Sequence, residues 1–167
     1  MSDMLNKLLH YKQWANQLTF QTLLELDPEE AAKHRPTRWE SINYTLSHVW
    51  VVDDIFRHHL EGRRHNYTFR NIIERFEASA IWDRQKEMDD WYISYAAAQT
   101  TDALIQPIDF EYVGGGRGQM SPEEMLLHVV NHGTYHRGLV SDMLYQIPVM
   151  PQINDLTVFL RDHWGSL

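Results

Sequence analysis

Residues 121–146, SPEEMLLHVVNHGTYHRGLVSDMLYQ, predict a long amphipathic helix that carries three evenly spaced histidines. Ser121 is the expected N-cap, Pro122 occupies the first helical position, and Glu124 can complete a capping box from the third position. The helical pattern ends before Pro148, because proline cannot continue a helix interior. The three histidines are therefore expected to lie on one long helix.

The three histidines of this helix, His128, His132 and His136, are four positions apart, so they form one column along the helix surface. Apolar neighbours on the helical wheel direct the column toward the interior or toward the lip of a cavity. Two four-residue steps span about 12 Å at the helical rise, whereas bonds from zinc to nitrogen are about 2.0–2.1 Å long. The two outer histidines therefore cannot share one ion. At most two neighbours of the column bind it, and further ligands must come from elsewhere in the chain.

A single inward histidine is more often a hydrogen-bonded core residue than a metal ligand, and that interpretation stays open for each histidine considered alone. A stacked column differs, because every buried imidazole nitrogen without a partner costs about 1–3 kcal/mol. A divalent ion satisfies several such nitrogens together, and helical bundles commonly build metal sites from side chains on facing helices. The spacing by itself favours neither interpretation.

A third ligand would have to lie in the middle of another helix, on its inward face. His48 meets this condition in a helix that is predicted to begin after a Ser41 N-cap, to run through Leu60 and to end near Gly62. His59 shares the inward face but lies about 16 Å farther along the axis, so it cannot bind the same ion. We expect one more histidine to be structural and four to be exposed: His10 for the first group, and His34, His58, His65 and His163 for the second.

Two further helices are predicted from apolar residues that recur every three or four positions. The first occupies the N-terminal part of the chain and ends at Asp27–Pro28. The other is expected to be long, from Phe69 to about Leu104. Together with the helices that carry the inward histidines, these make four substantial helices.

The remaining segments predict two small elements. In PIDFEYVGGGRGQM, residues 107–120, apolar and polar residues alternate before a glycine run, which indicates a short β-hairpin. The tail NDLTVFLRDHW, residues 154–164, predicts a short fifth helix capped by Asn154 or Asp155. We found no internal repeat and no linker. The predicted fold is therefore all-α, a four-helix bundle formed by residues 1–167 as a single domain, with a short β-hairpin between helices 3 and 4 and a short C-terminal helix.

The composition excludes several classes of protein. An apolar fraction of 43% in 167 residues supports a folded core, and a formal net charge of −8 makes a nucleic-acid partner unexpected. The chain has no cysteine, which excludes disulfides, thiolate metal ligands and a cysteine nucleophile. The apolar stretches are too short to span a membrane and the N-terminus is too polar for a signal peptide. We therefore expect a soluble cytoplasmic protein.

Four motifs resemble the DinB (damage-inducible, YfiT-like) family of small metal-binding four-helix bundles. They are LLHYKQWANQLTFQTL at the start, TLSHVWVVDDIFRHHLEG in the second long helix, HVVNHGTYHRGLVSDML in the fourth, and PQINDLTVFLRD in the tail. The resemblance implies a metal ion held by His48, from LSHV, and by His132 and His136, from NHGTYHRG. His128 then becomes a residue that packs near the site. The resemblance also implies a homodimer packed through helices.

Three neutral imidazoles leave a coordination position free for water or substrate. This ligand set suits zinc or nickel, with iron, manganese and copper as further candidates. Family members that resemble this chain include transferases and isomerases that use low-molecular-weight thiols such as bacillithiol or mycothiol. The resemblance thus suggests a metal-dependent enzyme that takes a small-molecule substrate and a thiol cosubstrate, such as a thiol S-transferase. The alternative is a metal-stabilised stress-response or binding module without catalysis.

No catalytic residue beyond the metal ligands can be named from the sequence. Asp53 and Asp54 turn away from the face of His48, so we interpret them as solvated surface residues. Arg137 projects off the ligand face and is interpreted as a salt-bridge or interface residue. The GGGRG run lacks the Lys-Ser/Thr ending of a phosphate-binding loop, and a hairpin turn explains it.

Overall fold

Four long helices form a bundle in the structure, a computed structural model that describes residues 3–72 and 76–166. Their bounds are α1 (Asp3–Leu24), α3 (Ile42–Leu60), α4 (Ala78–Ala98) and α6 (Pro122–Tyr145). The short elements are α2 (Pro28–Ala32), α5 (Thr101–Leu104), the strands β1 (Ile108–Glu111) and β2 (Arg117–Met120), α7 (Leu156–Asp162), and a 3₁₀ turn (Trp164–Ser166). Helices α1 and α3 each pack against both α4 and α6. The predicted all-α bundle with its hairpin and C-terminal helix is confirmed.

The starts of the two histidine-bearing helices are set by the predicted caps. The Ser121 hydroxyl accepts a hydrogen bond from the Glu124 backbone N–H at 3.3 Å, and the Glu124 carboxylate accepts one from the Ser121 N–H at 2.7 Å. This reciprocal pair is the predicted capping box. The Ser41 hydroxyl caps α3 by accepting from the Tyr44 N–H at 3.1 Å. Both helices therefore begin at the serine caps predicted from the sequence. Because the helical rise is constant, each cap fixes the position of its histidines along the helix axis.

The prediction of a helix from Phe69 is wrong. Residues 69–72 are irregular, and α4 begins only at Ala78. Instead of forming a helical turn, this segment contacts α3: the Asn71 amide donates to the Tyr44 carbonyl at 3.0 Å. A tertiary hydrogen bond is thus formed here in place of the helix that the apolar periodicity predicted. Phe69, which belonged to that apolar pattern, is 64% exposed. Ile73, which was part of the predicted pattern, lies outside the described residues.

The end of that predicted helix also differs. The backbone of Gln99 and Thr100 is extended, and the Thr100 hydroxyl caps the separate short helix α5 by accepting from the Ala103 N–H at 3.1 Å. The helix α2 was missed, although Asp27-Pro28-Glu29-Glu30 repeats the cap chemistry of residues 121–124. Short capped helices without an apolar period leave little other trace in a sequence.

The β-hairpin pairs β1 with β2 in antiparallel register, with Phe110 opposite Gly118. A Cβ atom at Gly118 would lie 2.5 Å from the Phe110 ring, so this strand position requires glycine. The glycines of the connecting turn have positive φ, as in Gly115 at 97°. The hairpin turn therefore accounts for the glycine run, as predicted.

A buried ionic cluster lies where α1, α3 and α4 meet. The Lys12 ammonium donates to Asp53 at 2.8 Å and also to Asp89, and all three side chains are almost fully buried. Gln85 donates to both carboxylates, at 2.9 Å to Asp53 and 3.1 Å to Asp89. The interpretation of Asp53 as a solvated residue is therefore wrong, because Lys12 supplies a countercharge inside the bundle. The sequence around Asp53 contains no pattern that indicates this partner.

No helix among the described residues is long and apolar enough to cross a membrane.

Candidate metal centre

Three histidines from two facing helices converge inside the bundle. His48 lies in the middle of α3 with 8% of its surface exposed, while His132 and His136 lie one turn apart on α6. One ring nitrogen from each residue lies within 4.8 Å of one from each of the others. The three residues therefore form a group that could hold a single metal ion.

The closest approach in this group is between the Nε2 atoms of His48 and His132, at 3.1 Å. Two bonds of about 2.0–2.1 Å at a tetrahedral angle would place their nitrogens about 3.3 Å apart. The separation therefore matches that of two ligands of one cation. The ring centroids of His132 and His136 are 4.4 Å apart at an interplanar angle of 61°, so the neighbours on α6 are not stacked flat against each other.

The backbone of Arg70 determines which nitrogen of His48 is free. Its carbonyl oxygen lies within hydrogen-bond distance of His48 Nδ1, and a carbonyl can only accept. The proton of the neutral ring therefore resides on Nδ1, and Nε2 presents a lone pair toward His132. Metal-bound histidines are usually oriented in this way by a backbone carbonyl or a carboxylate.

The other two rings contain nitrogens that lack partners. The Nδ1 atoms of His132 and His136 are buried and have no hydrogen-bond partner among the described residues. Each unpaired buried polar atom costs about 1–3 kcal/mol. Among the described residues these two rings are therefore not held by hydrogen bonds outside the group. Three neutral imidazoles are a donor set that fits a divalent metal ion.

The environment keeps the three rings neutral. Burial, followed by the neighbouring His136 and His48, lowers the pKa of His132 from 6.5 to about 2. Burial and then His48 lower the pKa of His136 to about 4. Burial also lowers the pKa of His48, although the Arg70 carbonyl opposes the shift. Neutral imidazole is the form that binds metal, so the lowered pKa values keep the three rings in the form that can bind a cation.

Trp39 covers one side of the group. Its ring centroid lies 4.7 Å from that of His48 and 4.5 Å from that of His136, edge to face in the second case. Sequence reasoning missed this residue, although its place just before the Ser41 cap was a usable signal. It also missed the contact from Arg70, which no pattern could reveal because any residue type offers a backbone carbonyl.

The other inward histidines lie outside the group. His128 packs its ring 4.4 Å from that of Phe56 and 5.6 Å from that of His132, in agreement with the predicted packing position. His59 stacks on Phe110 at 4.6 Å, at the far end of α3. Neither residue belongs to the set of nitrogens that surrounds the candidate metal position.

Two polar residues, Asp54 and Arg137, differ from their interpretation in the sequence. Asp54 is half-buried and accepts a hydrogen bond from the Tyr67 hydroxyl at 2.7 Å, so it is not simply solvated. Arg137 is buried and donates to Asn16 at 3.0 Å and to the Thr134 hydroxyl at 3.0 Å. It is therefore part of the polar interior rather than an exposed salt-bridge or interface residue.

Comparisons with known proteins give a family match over the chain and a similar fold. The profile of the DinB family matches residues 1–164. The chain is similar to Protein DinB of Bacillus subtilis (strain 168), with 31% identity over 168 residues that cover 96% of this chain and 95% of the relative. Its fold resembles the crystal structure of a DinB-like protein from Bacillus cereus ATCC 10987, with a TM-score of 0.65, 17% identity, and coverage of 87% of this chain and 94% of the other.

Proposed function

This chain belongs to the DinB family, and we propose that it is a metal-dependent enzyme in which His48, His132 and His136 bind one divalent cation. The proposed reaction is the transfer of a low-molecular-weight thiol to an electrophilic small molecule. Zinc or nickel is the proposed metal, because an all-nitrogen set of imidazoles suits these ions.

The observation that carries the proposal is the convergence of three neutral imidazoles, with the free nitrogen of His48 3.1 Å from that of His132. Three protein ligands are typical of catalytic rather than structural zinc sites, which usually have four. Among the described residues the group contains histidines alone, with no carboxylate to complete the shell.

The residues around the group support a reactive rather than a closed site. Trp39 packs against the rings of His48 and His136 on one side. The Arg70 carbonyl holds the His48 ring in one orientation. A divalent cation bound here would supply Lewis acidity and lower the pKa of a thiol or water molecule in its open position.

The absence of cysteine from the sequence means that the sulfur nucleophile has to arrive on a cosubstrate. In the proposed transfer, this sulfur forms a bond to an electrophilic carbon of the second substrate. The leaving group departs with the electron pair of the broken bond, and the thiol proton passes to solvent. The reaction therefore needs no oxidant or reductant.

The partners in this proposal are small molecules and a second copy of the chain. A net charge of −8 opposes binding to the phosphate backbone of nucleic acids. We propose a homodimer in the cytoplasm, which light scattering on the purified protein and fractionation of cells would test.

Cobalt(II) substitution offers the sharpest test of the proposed function. We expect one cobalt per chain and, on addition of a low-molecular-weight thiol, a thiolate-to-cobalt charge-transfer band that the corresponding alcohol does not produce. The metal-loaded protein should then accelerate thiol addition to a chloronitrobenzene with release of chloride. A cobalt spectrum of four protein ligands that thiols leave unchanged would instead identify a metal-stabilised module without catalysis.

A further inference from the structure

A cavity of about 430 Å³ opens beside the candidate metal centre. It lies between the first turns of α3 and residues 69–72 and 76–77, and its wall includes Asn43, Tyr44, Ser47, Phe69 and Phe76. Small-molecule sites in proteins typically occupy about 300–1,000 Å³ and are mostly apolar with a few polar groups. The volume and the lining are those of a ligand site.

This cavity shares a wall with the candidate metal centre. Asn71 lines the cavity and donates to the Tyr44 carbonyl at 3.0 Å, while the carbonyl of the preceding residue, Arg70, contacts His48. On α3, the lining residue Ser47 directly precedes His48. The cavity and the candidate metal centre are therefore adjacent, and Arg70 and Asn71 lie between them.

Two buried polar side chains, Asn43 and Ser47, lie in the wall of the cavity. Asn43 is 6% exposed, and its Oδ1 atom has no hydrogen-bond partner among the described residues. Ser47 is also buried, and its hydroxyl can both donate and accept a hydrogen bond. A buried acceptor without a donor is costly, so a ligand that donates hydrogen bonds would stabilise this wall.

The charged groups of the cavity also favour a ligand that donates hydrogen bonds, and in particular a cation. Glu40 and Glu77 line it, and neither forms an ion pair with a described residue. The described lining contains no lysine or arginine, and its one basic side chain is the exposed His34. It also contains the aromatic rings of Tyr44, Phe69 and Phe76. Carboxylates together with aromatic faces are the groups that recognise a positively charged amine.

We propose that this cavity binds a small molecule with a protonated amine on an apolar body. Its ammonium group donates to Asn43 and faces the carboxylates of Glu40 and Glu77, while its apolar part packs against the aromatic wall. This site goes beyond the proposed function, because none of its groups is a metal ligand and binding does not require the metal.

Three probes of matched size test the proposal: 2-phenylethylammonium, the neutral 2-phenylethanol and the anionic 3-phenylpropanoate. Each is titrated into protein freed of metal by a chelator, so that an amine cannot bind through the metal. Calorimetry gives the affinity, and amide chemical shifts give the location. We expect saturable binding of one ammonium per chain, with shifts at residues 40–47 and 69–72. The alcohol should bind about tenfold more weakly, because charge-assisted hydrogen bonds are roughly twice as strong as neutral ones, and the anion should not bind.

Variants separate the cavity from general surface charge. The double substitution Glu40→Gln with Glu77→Gln should weaken ammonium binding about five- to tenfold, the range expected for two exposed charge pairs, and leave the alcohol unaffected. The matched control is Glu25→Gln with Glu87→Gln, which removes two exposed carboxylates that do not line the cavity. Both pairs lie at the surface, so neither should prevent folding. Asn43→Ala is a third variant, expected to weaken the ammonium and the alcohol together.

Several results would overturn the proposal. They are equal affinity for the ammonium and the alcohol, no saturable binding of the ammonium, shifts confined to another surface, or equal losses in the two double variants. Because the titrations use metal-free protein, these failures leave the proposed thiol transfer untouched. Conversely, failure of the cobalt experiment leaves the amine site standing.

Discussion

The Nε2 atoms of His48 and His132 lie 3.1 Å apart, although 84 positions of sequence separate the two residues. The contact joins the middle of α3 to the middle of α6, and both helices begin at serine caps. Since the proton of His48 resides on the nitrogen that faces Arg70, the space between the two Nε2 atoms holds either one proton from His132 or a cation. A cation shared by the three rings is the arrangement that the predictions below test.

We expect His48→Ala to abolish stoichiometric metal binding. The substitution removes one of three ligands from a helix that offers no replacement within reach, since the next inward histidine, His59, lies at the far end of α3. His132→Ala and His136→Ala should have the same effect. Elemental analysis of protein purified without a histidine tag measures the metal content per chain.

The matched control is His128→Ala, which removes a histidine from the same column but outside the nitrogen group. It should retain most of the metal and lose only the packing of its ring against Phe56. Full metal content in His48→Ala, or loss in His128→Ala equal to that of the other variants, would show that the ligand set is different.

Acid should remove the metal at a lower pH than free histidine would suggest. An unperturbed pKa of about 6.5 predicts loss near pH 5–6. Burial, however, lowers the pKa of His136 to about 4 and that of His132 to about 2, so protons compete with the metal only under more acidic conditions. We expect nearly full occupancy at pH 6 and loss at about pH 4 or below, measured by equilibrium dialysis. Occupancy unchanged at pH 3 would contradict histidine ligation.

Much of this candidate centre could be predicted from the sequence because its three histidines occupy regular positions. The four-residue spacing of His132 and His136 is a property of the helix, and the cap at Ser121 made the helix itself predictable. His48 was predictable because an inward position in the middle of a capped helix is visible as apolar periodicity. These features are local, so a short window of sequence contains them.

The features that sequence reasoning missed depend on contacts between distant segments. Arg70 acts through its backbone carbonyl, which carries no residue signature. Asp53 was taken for a surface residue because its countercharge, Lys12, lies 41 positions earlier. Residues 69–72 are irregular for the same reason, since Asn71 donates a hydrogen bond to α3 rather than within a helix. The periodicity of apolar residues in a short window cannot predict contacts between such distant segments.

His59 should make the protein less stable in mild acid. Burial, followed by the positive charges that His65 and His58 would carry, lowers the pKa of His59 from 6.5 to about 4. Between these values the unfolded chain binds a proton that the folded chain excludes, so the free energy of unfolding falls as the pH falls from 6.5 to 4. His59→Gln should reduce this fall by up to about 3 kcal/mol, at about 1.4 kcal/mol per pKa unit.

Urea unfolding of the two proteins at pH 7 and at pH 4.5 measures the effect. The comparison uses metal-free protein, so that metal release does not add to the pH dependence. His34→Gln is the matched control, because His34 is exposed and its removal should leave the pH dependence as it is in the unmodified chain. Equal pH dependence in the His59 variant and the unmodified chain would mean that the ring accepts a proton in the folded protein.

Lys12→Met should destabilise the protein by about 3–5 kcal/mol, the usual cost of breaking a buried ion pair from one side. Lys12 is 1% exposed and is the cation that contacts Asp53 and Asp89, so its loss leaves two buried carboxylates with neutral donors alone. Unfolding in urea at pH 7 measures the change. Lys7→Met on the same helix is the control, because Lys7 pairs with the exposed Asp3 and its loss should cost less than about 1 kcal/mol.

The pH dependence of the Lys12→Met variant identifies the cause of its instability. Burial already raises the pKa of Asp53, and removal of the adjacent ammonium should raise it further. As the pH falls toward 5, a carboxyl in the folded variant takes up a proton and becomes neutral, so the gap in stability between the variant and the unmodified chain should narrow. A gap that stays constant from pH 8 to pH 5 would attribute the loss to packing of the lysine chain instead of to the uncompensated charge.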